Sequence, residues 1–181
     1  MKVIVTPVGT WIDAVNAARA TVRAKPITKE PSERLRRELL DAEHSPIRFV
    51  TFKIEMIDIP YWVSVHLVRH KIGVEHFVST QRTDRTGTDR NELPQGALVN
   101  HTMIANAQAL INISHRRLCN TASPETHKLW QTVVNKLKKV DHIVAEFCVP
   151  MCVYRGGICH EHYSPCGRFP VMALNQAIKE K

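Results

Sequence analysis

The chain has 181 residues, 44% hydrophobic and 23% charged, which fits one globular domain and excludes a disordered or collagen-like polymer. Net charge is +8, from 25 Lys and Arg against 17 Asp and Glu, which admits an anionic partner, although the basic residues are only slightly clustered. No apolar run approaches the roughly 20 residues that span a membrane. The start of the chain is interrupted at Pro7, too soon for a secretory signal, and the five cysteines read as reduced thiols of a soluble, cytoplasmic protein.

In chain order, residues 3–8 read as a short strand. Thr10 is placed to cap a helix running to about Arg23, with Trp11, Val15, Ala18 and Val22 at helical spacing. Pro31 stands in the expected first turn of a second helix through Leu40. Residues 48–56 alternate, with Val50, Phe52, Ile54 and Met56 on one side of a half-buried strand. Pro60 opens an apolar helix to about His70, and residues 72–96 read as loop. Residues 98–119 are expected to form one long helix. Ser123-Pro124 starts another, running to about Cys148 before Pro150. The pattern predicts a single α+β domain over residues 1–181, a small antiparallel sheet packed with long helices, ending in a Cys/His-rich tail from residue 148.

Three polar groupings can carry chemistry. Arg69-His70-Lys71 ends a predicted helix and is followed, after seven residues, by Ser79. Arg offers a planar donor fork for phosphate and Lys a compact charge, but cations also favour helix C-termini, so a phosphate site and a solvated helix end are equally compatible with the motif. His44-Ser45-Pro46 precedes the alternating strand and reads as a turn. Asn106, Leu110, Ile113 and Arg117 share one face of the predicted helix at spacings of four, three and four. A polar pair on an apolar stripe is either satisfied internally or lines a ligand pocket.

Taken together, these pieces resemble the flavin-dependent thymidylate synthases, over roughly residues 35–130. That family's signature is Arg-His-Arg, seven residues, then Ser; here it stands as Arg69-His70-Lys71 and Ser79. A flavin-contacting His, a strand and a helix precede it, matched by His44, the alternating strand and the helix from Pro60. Downstream, Arg90, Leu93-Pro94, Asn106-Ala107-Gln108, Asn112 and Arg117 follow the family's order, as do Ala122 and Glu125. The sequence departs from the pattern at His66, Lys71, Phe77, Gln81 and Gln108, and its segment between Ser79 and Arg90 is short.

The resemblance implies a homotetramer with shared sites. In it FAD is reduced by NADPH, methylenetetrahydrofolate supplies the carbon, and dUMP is methylated to dTMP without an enzymic Cys nucleophile. On these positions it implies Arg117 as the catalytic residue. It assigns His44, Pro46, Arg69, His70, Lys71, Asn106, Gln108 and Asn112 to the flavin. It assigns His66, Arg69, Ser79, Thr80, Gln81, Arg90 and Arg117 to the nucleotide. An enzyme of this fold acting on another pyrimidine nucleotide is the near alternative.

The tail supplies a separate candidate. Cys148, Cys152, Cys159, His160, His162 and Cys166 are N and S donors suited to structural zinc, although their spacing fits no standard finger and Cys can equally pack in a core. A basic, zinc-stabilised nucleic-acid-binding module is therefore the rival reading. Only 6% of residues are aromatic and none interleave with basic residues, which gives base stacking little support.

Overall fold

The computed structural model describes residues 1–172; the end of the expected domain and tail, residues 173–181, lies outside the described residues. Strands β1 (Lys2–Pro7), β2 (Thr51–Pro60), β3 (Val74–Val78) and β4 (Leu98–Asn106) form one antiparallel sheet in the order β1-β2-β4-β3. Helices are α1 (Trp11–Thr21), α2 (Glu33–Asp41), α3 (Tyr61–Leu67), α4 (Thr83–Thr86), α5 (Ala107–Arg117), α6 (Pro124–Val140), α7 (His142–Phe147) and α8 (Met151–Tyr154). The predicted α+β architecture is the observed one. No helix among the described residues is long and apolar enough to cross a membrane.

The alternation of β2 is real: Phe52, Ile54 and Met56 are buried, and the strand runs past the predicted end. The register shifts between Met56 and Ile59, where Asp58 adopts φ 57° and its N–H meets Asn100 Oδ1 at 3.2 Å. This bulge returns Ile59 to the buried face.

The expected helix over residues 98–119 is instead β4 followed by α5. Val99, His101, Met103 and Ala105 alternate inward, and pairing with β2 and β3 on both sides outweighs the helix propensity of Met and Ala. Asn106 is thus no helix-interior residue. It is the N-cap of α5, its Oδ1 accepting from the Ala109 N–H at 2.9 Å. The loop expected over residues 72–96 holds β3, and α3 stops at Leu67.

Thr10 caps α1 with a reciprocal Asp13 contact, as the sequence requires. In α2 the cap is Ser32, so Pro31 lies outside the helix rather than in its first turn. The helix expected from Ser123 to Cys148 breaks at Asp141. That residue is extended (φ −145°, ψ 96°), and its Oδ1 accepts from the Ile143 and Val144 N–H groups at 3.1 Å. Its Oδ2 accepts from the Trp11 indole at 2.7 Å, tying α1 to the α6–α7 corner.

Asp141→Ala removes two capping bonds and orphans a buried indole. A loss of about 2 kcal/mol is expected by urea unfolding at constant m. Asp141→Asn keeps one acceptor oxygen, enough for the cap bonds but not for the Trp11 indole as well, and should lose less than Asp141→Ala; equal losses would contradict the capping account.

Candidate functional site

The turn after α3 carries Arg69-His70-Lys71, and the last residue of α5 is Arg117. Separated by 47 positions in sequence, His70 and Arg117 touch: Arg117 Nε–H donates to His70 Nε2 at 2.9 Å. A second guanidinium N–H, on Nη2, donates to the His66 carbonyl at 2.5 Å. An imidazole nitrogen that accepts carries no proton, so the His70 proton sits on Nδ1. Burial, then the Arg117 charge, push the His70 pKa down to about 4. The neutral ring is therefore the acceptor that Arg117 needs.

Among the described residues Arg117 forms no ion pair, and Glu125 bonds to Ser123 instead. Burial and the nearby Arg69 charge lower the Arg117 pKa. Half-buried Arg117 and exposed Arg69 are thus neighbouring cations, neither ion-paired among the described residues, an arrangement that favours an anion. His66 flanks the corner, with Nδ1 2.9 Å from Thr126 Oγ1, and burial followed by Arg117 lowers its pKa.

The signature turn is anchored from beneath by a chain of polar groups that the sequence reading missed. The His70 carbonyl can only accept, so His76 Nε2–H donates to it at 2.7 Å. With His101 neutral, its Nε2–H donates to His76 Nδ1 at 2.9 Å, and its Nδ1 accepts from the Ser64 hydroxyl at 3.0 Å. Ser64 and His101 are fully enclosed, and burial, then His76, push the His101 pKa down to about 4. Recognising β4 as a strand would have found His101, since its inward position demands a partner.

The remaining predicted residues form two further groups. Ser79, Gln81 and Arg90 line one shallow depression with Tyr61 and Arg82. Ser79 ends the sheet there, its hydroxyl donating to the Asn100 carbonyl at 3.0 Å and accepting from the Asn100 N–H at 2.7 Å. Thr80 Oγ1 accepts from the Arg82 N–H at 3.1 Å. Near the start of α5, Gln108 Nε2 donates to Glu43 Oε2 at 3.0 Å and to Asn112 Oδ1 at 3.5 Å. This ties α5 to the residue preceding His44, itself exposed ahead of the 3-10 turn Ser45–Phe49 that contains Pro46. Lys71 is exposed, and the Asn106 side chain covers Gly73, where a Cβ would lie 2.6 Å from its Nδ2. Gly73 also has φ +72°, so only glycine fits comfortably there.

The tail residues separate. Cys148 is buried away from the others, its thiol pushed up to about 12 by burial. His162 is exposed, whereas Cys152, Cys159, His160 and Cys166 border one cavity. Among the described residues no three His, Cys, Asp or Glu side chains converge closely enough to hold a metal ion, so the expected six-residue zinc cluster is not assembled.

No family model and no curated protein matches the chain. Solved structures do. The flavin-dependent thymidylate synthase of Helicobacter pylori, complexed with FAD and dUMP, superposes with a TM-score of 0.64 at 15% identity, over 82% of this chain and 100% of that one. A second structure of a Helicobacter pylori thymidylate synthase with FAD and dUMP gives 0.65 at 15% identity, over 82% of this chain and 99% of that one. The UMP/dUMP methylase PolB of Streptomyces cacaoi, bound with 5-Br dUMP, gives 0.58 at 15% identity, over 81% and 94%. The chain therefore has the fold of the flavin-dependent thymidylate synthases.

The two depressed histidines set a pH dependence. Folded His70 and His101 take up protons near pH 4, against an ordinary 6.5 in the unfolded chain. Between those limits the unfolded state holds more protons, so stability is fully present above pH 6.5 and falls as pH drops toward 4. Thermal melts from pH 4 to 8 should follow this slope, and His101→Gln should flatten it. A melting temperature insensitive to pH below 6.5 would contradict the neutral-ring assignment.

Proposed function

We propose that the chain binds FAD and dUMP and catalyses reductive methylation of dUMP to dTMP, with methylenetetrahydrofolate as carbon donor and NADPH as reductant. The observation that carries this reading is the Arg69–Arg117 corner, cationic, with neither guanidinium ion-paired among the described residues, and oriented by neutral His70. It joins the signature motif to the catalytic Arg position of the resemblance, on the fold that both share.

Two of the five N–H donors of Arg117 are committed to His70 and His66, which fixes the guanidinium plane and leaves the rest for an anion. Arg117 then stabilises the negative charge that develops on the pyrimidine ring. Arg90, beside Ser79 and Gln81, holds the nucleotide phosphate. The residues also fit a flavin: Arg69 and Lys71 have no acidic partner among the described residues and suit a pyrophosphate, while Gln108 and Asn112 offer amides along one face of α5. When bound and reduced, the flavin supplies the hydride.

The three residue groups open separately onto the surface of one chain. Beside them Ile72 and Phe77 stand 89% and 57% exposed, which is apolar area suited to a partner. We assign these faces to contacts in a homotetramer whose sites are completed by neighbouring copies. A different uridylate is the specific second reading, favoured by the fold shared with a UMP/dUMP methylase and by Phe77 at the position where the resemblance expects an acid.

Protein loaded with FAD and desalted should retain the flavin's visible absorbance. Arg117→Ala should keep the flavin but weaken dUMP binding by calorimetry roughly 10- to 100-fold. A chain that takes up no flavin, or a variant with undiminished affinity for both dUMP and UMP, would contradict the proposal.

A further inference from the structure

Where the C-terminal segment meets the end of α5, a cavity of about 200 Å³ lies beside Cys119. Three arginines border it, each from a different stretch of chain: Arg116 from the last turn of α5, Arg155 from the C-cap of α8, and Arg168 from the loop that follows. None of the three is ion-paired among the described residues. One carboxylate, Glu161, borders the same space, and its Oε1 accepts from the Tyr163 and Ser164 N–H groups at 3.0 and 3.4 Å. Three guanidinium charges thus stand against one carboxylate, a surplus of two positive charges around one small space. Like charges gathered by the fold repel one another unless an anion answers them.

The cavity also has an apolar side, formed by Met151 and Phe169. The Arg168 guanidinium lies 5.8 Å from the centre of the Phe169 ring, which sets a cation directly beside that wall. From this convergence we propose that the cavity binds a small phosphate monoester. The phosphate lies among Arg116, Arg155 and Arg168, and its short organic body lies against Met151 and Phe169.

Three features select this chemistry. A phosphate monoester carries about −1.5 to −2 charges at neutral pH, which matches the surplus of two; a single carboxylate would leave half of it unanswered. Guanidinium forks suit the oxygens of phosphate, and three of them approach from separate elements. The space is smaller than the roughly 300–1,000 Å³ of pockets for drug-sized ligands, so the ligand is far smaller than a flavin or a folate. The site is separate from the Arg69–Arg117 corner. Consecutive residues on a helix diverge by about 100°, so Arg116 borders the cavity while its neighbour Arg117 turns to His70.

Calorimetric titration of the full, reduced chain with phenyl phosphate tests the proposal. Saturable binding is expected, and inorganic phosphate should bind several-fold more weakly because it lacks the body that meets Phe169. Arg155→Ala and Arg168→Ala, both at exposed positions, should each weaken phenyl phosphate roughly tenfold. Phe169→Ala should weaken phenyl phosphate but not inorganic phosphate. Arg90→Ala, in the depression assigned to the nucleotide, should leave the affinity unchanged. No saturable binding at millimolar phenyl phosphate would overturn the proposal. So would equal affinities for ester and inorganic phosphate, or binding lost in Arg90→Ala or Arg117→Ala but retained in Arg155→Ala, which would put the anion in the nucleotide site.

Discussion

Arg117 ties the end of α5 to a turn that lies 47 positions earlier in the sequence. Its guanidinium spans from the end of α5 to the turn after α3, taking one acceptor from the His70 ring and another from the His66 backbone. The arrangement requires His70 to be uncharged, because a protonated ring would repel the guanidinium and offer it no lone pair. Burial and Arg117 itself enforce that state. The positions of Arg69 and Lys71 follow from the same turn.

The turn is held by the sheet as well as by α5. Ser64, His101 and His76 pass one directed line of hydrogen bonds from the interior of α3, across β4 and β3, to the His70 carbonyl. Such a chain keeps every buried polar atom paired, and its removal at any point orphans a neighbour. Below β4, α5 is fixed by its Asn106 cap and by Ser114, whose hydroxyl accepts from the buried Trp130 indole at 2.9 Å. Arg117 therefore projects from a helix that is secured at its cap and along its buried face, as a site oriented to within a fraction of an ångström requires.

What was legible in the sequence was local. The Thr10 cap, the period-two alternation of β2 and the Ser123-Pro124 start are written in adjacent residues, and each stands in the structure. Residues 98–119 were misread because Met103, Ala105 and Ala107 suit a helix as well as a strand, and only pairing with β2 and β3 decides between them. The corner at Asp141 was hidden for a similar reason, since its cause is an indole 130 positions away. Within the site, the residue types at Arg69, His70 and Arg117 were readable from motif spacing. The contact between His70 and Arg117, the histidine line beneath it and the cavity at Cys119 depend on tertiary placement, and spacing does not encode them.

The central claim is that His70 is a neutral acceptor for Arg117. Nitrogen-detected NMR of labelled histidines tests it directly, because it reports tautomer and titration for each ring. His70 should carry its proton on Nδ1 and titrate near 4, and Arg117→Ala should move it back toward 6.5. A His70 ring that titrates near 6.5 in the native chain, or carries its proton on Nε2, would contradict the account.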